Sequence, residues 1–310
     1  MDRVSTAGSY SAILANLMAA EGRQTEATNR VSSQKNGDDL KAYANKAETL
    51  TAMKSVDARI SSYQAGNSQI ASKLTTQDQA LNTVADSATA VRQAIADALA
   101  SGDAGVLMQQ ISDQFDSAVS GLNAQFDGKY LFAGGKITTP PVSATQLSDL
   151  TSGPPIASFF QNDSLQVKAK LDDSTTIATG QLASNIATPM MTAFQTLKAF
   201  DQSGSGPLSG KLTAAQQAFL TTQLQNWVGI GTNLTTVTAQ NGLLQKQVDD
   251  VASSLVTQKN TLTSMIGDIT DADMAKAATD LSNAQLSVQA SARVLQALQS
   301  SSLLNLLPAT

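Results

Sequence analysis

Cysteine and histidine are both missing from the 310 residues. Without Cys there is no disulfide, no thiolate nucleophile and no thiolate metal ligand. Without His the commonest general base and the commonest zinc ligand are gone. Catalysis is therefore disfavoured, although carboxylate or Lys chemistry stays open. Aromatic residues make up only 4% of the chain, and Trp227 is the single Trp. A compact core leans on aromatics for bulk, so slender helices packed in pairs or small bundles suit this composition better. Basic and acidic residues nearly balance at a net charge of −5, and no run of five like charges occurs. A nucleic-acid grip needs a concentrated positive surface, so no nucleic-acid partner is expected. No stretch approaches the roughly 18 apolar residues of a membrane span, so no membrane partner is expected either. Residues 1–6, Met-Asp-Arg-Val-Ser-Thr, lack the charged and apolar regions of a cleaved secretory signal.

What the chain has is heptad periodicity. Tyr10, Leu17, Gln24 and Val31 recur every seven residues, with Ile13, Ala20 and Ala27 between them. This narrow seam predicts a coiled-coil helix. The second tract is longer, with Met53, Ile60, Asn67, Leu74, Leu81, Ala88 and Ile95 in one column. Val56, Tyr63, Ile70, Gln77, Val84, Val91 and Ala98 form the other. A helix of that extent would be roughly 70 Å long. A third tract sets Trp227, Leu234, Asn241, Val248, Leu255, Leu262 and Ile269 beside Ile230, Val237, Leu244, Val251, Gln258 and Met265. Thr213 and Gln216 suit a capping box ahead of it. The fourth tract carries Met274, Leu281, Val288 and Leu295, with Ala277, Ala284, Ser291 and Leu298 between. A change of register at 267–273, rich in Gly, Asp and Thr, predicts a break and a new N-cap.

The order is short seam, long seam, middle, long seam, short seam. A one-sided apolar seam must be buried somewhere. Matched lengths in mirrored order predict a chain folded back on itself. The fold class is then mainly α: a long antiparallel coiled-coil or helical-bundle hairpin with paired N- and C-terminal helices. A small α+β insert is expected at its far end.

The middle changes character. Leu107, Ile111, Phe115, Ala118, Leu122 and Phe126 stand at helical spacing, and Asp127-Gly128 reads as the stop. Residues 129–133 read as a strand before Gly134-Gly135. Pro140, Pro141, Pro154 and Pro155 punctuate the next stretch of chain. Residues 165–171 alternate as a half-buried strand, 175–179 are β-prone, 188–200 read as a helix and 201–207 as a loop.

Candidate chemistry is thin. No phosphate-cradling glycine loop, dinucleotide fingerprint or zinc-protease helix motif occurs. Asp38-Asp39 and Asp249-Asp250 are adjacent, so on a helix they point apart and suit a solvated face. Asp268, Asp271 and Asp273 lack the spacing and the closing Glu of a calcium loop, and N-capping explains them better. The seam polars Asn67, Gln77, Asn241 and Gln258 either fix register or sit at partly wet positions. No catalytic residue, metal site or cofactor is predicted. Leu303-Leu304-Asn305-Leu306-Leu307 is too short an apolar run for membrane binding and fits contact with other subunits or a chaperone.

Three segments resemble one family. Gly128-Lys129-Tyr130-Leu131-Phe132-Ala133-Gly134, with Pro140-Pro141-Val142 after it, is similar to a segment of the flagellar hook–filament junction family (FlgL type). Residues 271–282, Asp-Ala-Asp-Met-Ala-Lys-Ala-Ala-Thr-Asp-Leu-Ser, with the Leu-rich end, resemble the C-terminal signature of the flagellin superfamily. Residues 30–39, Arg-Val-Ser-Ser-Gln-Lys-Asn-Gly-Asp-Asp, are similar to the family's link between its first two helices. The chain departs from the family pattern at Leu40 and Val142, where the family tends to have Pro and Phe.

The resemblance implies three domains. Residues 1–45 with 268–310 would form a terminal coiled-coil domain, 46–140 with 206–267 a helical rod, and 141–205 an outer insert. It implies an extracellular structural subunit, exported by the flagellar type III apparatus without signal cleavage. It would join hook to filament by helical self-assembly. The implied partners are copies of itself, another hook-associated protein on the hook side, flagellin on the filament side and an export chaperone. The expected assembly interface is Tyr10, Ile13, Leu17, Val31, Met274, Leu281, Val288, Leu295 and Leu298. The expected family signature is Gly128, Tyr130, Phe132, Ala133 and Gly134. The alternative is a minor filament flagellin. Two further rivals fit less well: a secreted enzyme or binding module on helices, and a translocator, which would need a membrane-inserting hairpin.

Overall fold

The computed structural model describes residues 2–37 and 39–304. Asp38 and the Asn305–Leu307 part of the Leu-rich end lie outside the described residues. The fold is mainly α, with two antiparallel helix pairs and two small β-hairpins. Contacts divide the chain into two units, residues 1–59 with 257–310 and residues 60–256. The helices α2 (Ala47–Ser101) and α5 (Ala214–Thr270) contribute to both units.

In the first unit α1 (Asp2–Ser33) packs on α6 (Met274–Leu304). Arg30 faces Asp280, and Arg23, Glu26 and Ala27 share a cleft with Asn283, Ala284 and Ser287. Rising numbers on α1 meet falling numbers on α6, so the pair is antiparallel. Ala20, Ala27, Ala277 and Ala284 are buried, which lets the two backbones approach closely. α6 starts where the register change predicted. The Asp273 carboxylate accepts from the Ala275 and Lys276 amides at 3.0 and 3.1 Å, the N-cap expected of an Asp at this place. Asp39 caps the short 3-10 segment Leu40–Lys46 in the same way.

In the second unit the heptad columns supply the core. Ile60, Asn67, Leu74, Gln77, Leu81, Val84, Ala88, Val91, Ile95 and Ala98 of α2 are buried. So are Trp227, Ile230, Leu234, Asn241, Val248 and Leu255 of α5. The capping box forms: Gln216 accepts from the Thr213 amide at 2.9 Å, and Thr213 accepts from the Gln216 amide at 3.3 Å. Gly102 and Ala104 bond to Leu212 and Gly210, which ties the end of α2 to the start of α5.

α3 (Leu107–Leu122) and α4 (Ala183–Asp201) complete this core. Phe194 of α4 meets Phe115 of α3 edge-on at 5.4 Å and Trp227 of α5 at 4.9 Å. Three of the few aromatics thus meet at one three-helix junction, where their bulk fills space that Ala and Leu leave open.

The middle differs in detail from the sequence reading. The helix after α2 stops at Leu122, four residues early. Residues Gln125–Phe126 (β1) pair instead with Lys129–Tyr130 (β2). Asp127 and Gly128 have φ of 51° and 70°, so they form a hairpin turn rather than a helix stop. Asp-Gly favours this turn because both positions need positive φ. The remaining strands are shorter than expected, with Lys168–Lys170 (β3) pairing antiparallel with Thr176–Ala178 (β4). α4 begins five residues before the predicted 188 because tertiary contacts set its start. The Ala183 amide donates to the Phe132 carbonyl at 3.1 Å, and Leu182 bridges Ala133.

Candidate assembly surfaces

The candidate interface residues sort by what they touch. Ile13, Leu17 and Val31 on α1, and Leu281, Val288, Leu295 and Leu298 on α6, are half-buried. They lie at the heptad positions that flank the buried alanines, so the α1–α6 pairing covers one side of each and leaves the other open. Tyr10 and Met274 are 43% and 39% exposed and contribute less to that pairing. Leu14, Met18, Leu286 and Val294 are also exposed on these two helices. Periodicity missed these four, because a seam reading scores only the positions that face the partner helix.

The chain leaves α1 beside the point where it enters α6. Asn36 donates its amide to the Thr270 carbonyl at 2.8 Å, and Ala272 donates to the Gln34 carbonyl at 2.9 Å. The Asn36 side chain reaches the Asp271 carbonyl at 2.8 Å, and the Tyr43 hydroxyl donates to Gly37 O at 2.9 Å. Lys35 pairs with the Asp271 carboxylate. The hydrogen bond from Lys35 holds the Asp271 carboxyl below its usual pKa, with the Thr270 hydroxyl adding to the effect. This stitch joins two connections more than 230 residues apart in sequence.

The family-signature residues make a second, structural constellation in the other unit. Gly128 supplies the positive φ of the β1–β2 turn. The Tyr130 amide donates to Ile137 O at 2.9 Å. Phe132 and Ala133 are fully buried, and their backbones meet Ala183 and Leu182 at the start of α4. Gly134 has φ +67°, and a Cβ there would lie 2.2 Å from Asp163 Oδ1. That carboxylate accepts from the Gly135 amide at 2.8 Å and the Leu165 amide at 2.9 Å. Those backbone bonds pull its pKa below the carboxylate norm. Asp163 was invisible in the sequence, since a lone Asp in a loop carries no spacing signal.

The polar seam residues also separate. Asn67, Gln77 and Asn241 are buried, whereas Gln258 is exposed. Asn67 donates to the Leu171 carbonyl at 3.1 Å and so anchors the β3–β4 hairpin to α2. Among the described residues, no group of three or more acidic side chains is placed to hold a metal ion, and no helix is long and apolar enough to cross a membrane.

Comparison with known proteins fits this geometry. Residues 229–307 match the family described as the bacterial flagellin C-terminal helical region. That span takes in most of α5 and all of the described α6. Two solved structures share the fold. One is a putative flagellar hook-associated protein from Vibrio parahaemolyticus, at TM-score 0.58 and 16% identity, covering 72% of this chain and 96% of that one. The other is FlgL from Bacillus cereus, at TM-score 0.53 and 16% identity, covering 71% of this chain and 99% of that one. No curated protein is significantly similar in sequence.

Proposed function

We propose, from a flagellin C-terminal region built into a hook-associated-protein fold, that the chain is a structural subunit of the bacterial flagellum and acts at the junction of hook and filament. The observation that supports this most is that the matched C-terminal region pairs its last helix with the chain's own first helix. A subunit so built carries half-open apolar seams at residues that a helical array of copies can close. Tyr10, Ile13, Leu17, Val31, Met274, Leu281, Val288, Leu295 and Leu298 are the proposed contacts. The role is mechanical and non-enzymatic. The domain reading of 1–45 with 268–310, 46–140 with 206–267, and 141–205 belongs to this proposal. So do the partners: further copies, a hook-associated protein on the hook side, flagellin on the filament side and an export chaperone.

A second reading is a minor filament flagellin, favoured by the matched family model, which is that of flagellin. Immunogold labelling of isolated flagella separates the two. One band at the distal end of the hook is the expected result. Label spread along the filament establishes the flagellin reading instead, and absence from flagella overturns both.

A further inference from the structure

A cavity of about 310 Å3 in the second unit is lined by α2 and by the β1–β2 hairpin with its adjoining loop. Its walls are mostly apolar, with Ile70, Phe126 and Val167 among them. Lys73, Lys129 and Tyr130 bring three hydrogen-bond donors. Among the described residues, neither ammonium group and not the Tyr130 hydroxyl has a hydrogen bond or ion pair. Lys73 is half-buried, unlike exposed Lys129. Burial pushes the Lys73 pKa down, and the like charge of Lys129 pushes it the same way. The one acid in the lining, Asp127, is exposed at the hairpin turn and pairs with neither lysine.

A partly desolvated cation beside a second cation, with no carboxylate of the lining paired to either, is an unfavourable arrangement. An entering anion reverses the sign of that interaction and gains charge-assisted hydrogen bonds. The volume lies at the lower end of the roughly 300–1,000 Å3 usual for small-molecule sites, and apolar walls with a few polar groups are their normal lining. We propose that this cavity binds a small carboxylate carried on an apolar or aromatic body. Lys73 and Lys129 hold the carboxylate, Tyr130 donates a further hydrogen bond, and Phe126 and Ile70 pack on the body. The site does not depend on the flagellar reading, because every residue in it comes from one copy of the chain.

The test is calorimetric titration of the purified full chain with 3-phenylpropionate and with its neutral amide. The acid should bind saturably, and the amide at least tenfold more weakly. Lys73→Met keeps the apolar stem and removes the charge, and it should weaken acid binding at least tenfold. Lys129→Gln, at an exposed position, should weaken it severalfold with Trp227 emission unchanged, which shows that the core is intact. No saturable binding of the acid, equal binding of acid and amide, or full binding by Lys129→Gln would each overturn the proposal.

Discussion

Asn241 of α5 accepts a hydrogen bond from the Gln77 amide of α2 at 3.0 Å and donates its own amide to the Leu74 carbonyl at 3.0 Å, with both side chains buried in the seam. Gln245 reaches the same carbonyl at 3.0 Å. An apolar seam slides by a heptad at little cost, whereas these hydrogen bonds form in one register only, although the buried Gln77 Oε1 is left without a partner. Asn241→Leu strands the Gln77 amide and should cost about 1–3 kcal/mol. Gln77→Leu combined with Asn241→Leu should cost less than the two single changes added together. Thermal melts of the four proteins in the cycle give the coupling.

Phe194 fills the junction of three helices between Phe115 and Trp227. Phe194→Ala should destabilise the second unit by about 3–5 kcal/mol through lost burial and the cavity left behind. Trp227, as the single Trp, reports the loss directly. Its emission should shift to the red and its denaturant midpoint should fall.

Gly134 combines φ +67° with a packing gap too small for a methyl group. Gly134→Ala should cost about 1–2 kcal/mol for the left-handed backbone alone, with displacement of Asp163 adding to that. Ala at Gly210, which has the same φ but nothing within 4 Å of an added Cβ, should cost less. Comparing the two melts separates backbone strain from steric conflict.

Asp271 gives the first unit a pH dependence whose sign comes from its lowered pKa. In the unfolded chain the carboxyl titrates in its ordinary range, about pH 3.9. A lower folded value means that the contribution is complete above that range and is lost as pH falls through the folded value. Amide exchange at Asn36 and Ala272 should therefore speed up, relative to its intrinsic rate, as pH drops through this window. Lys35→Met should remove most of that pH effect, since the Lys35 hydrogen bond is its largest cause.

The helical part of the fold was legible because a seam repeats the same demand many times. Ile60, Leu74, Leu81, Leu234 and Val248 each had to be buried on the same face, and all of them are. Mirrored order then left antiparallel pairing as the simplest arrangement. The middle was harder to read because its boundaries rest on single long-range contacts. The stop at Leu122 and the start at Ala183 depend on a hairpin turn and on Phe132, neither of which leaves a periodic trace. Asn241 and Gln77 could both be singled out as polar residues in apolar columns, but that they pair with each other needed coordinates. The exposed Leu14, Met18, Leu286 and Val294 fall outside every seam column, so periodicity gives them no weight.

Incorporation of a Val288→Asp variant into flagella tests the central claim, that pairing of the first and last helices makes the assembling surface. Val288 is half-buried on α6, and a charge introduced at that seam position loses hydration when neighbouring copies cover it. The expected variant has normal Trp227 emission, because the second unit folds as before, yet it is absent from hooks and filaments and leaves cells non-motile. Wild-type levels of the variant at intact junctions, with normal swimming, would contradict that claim.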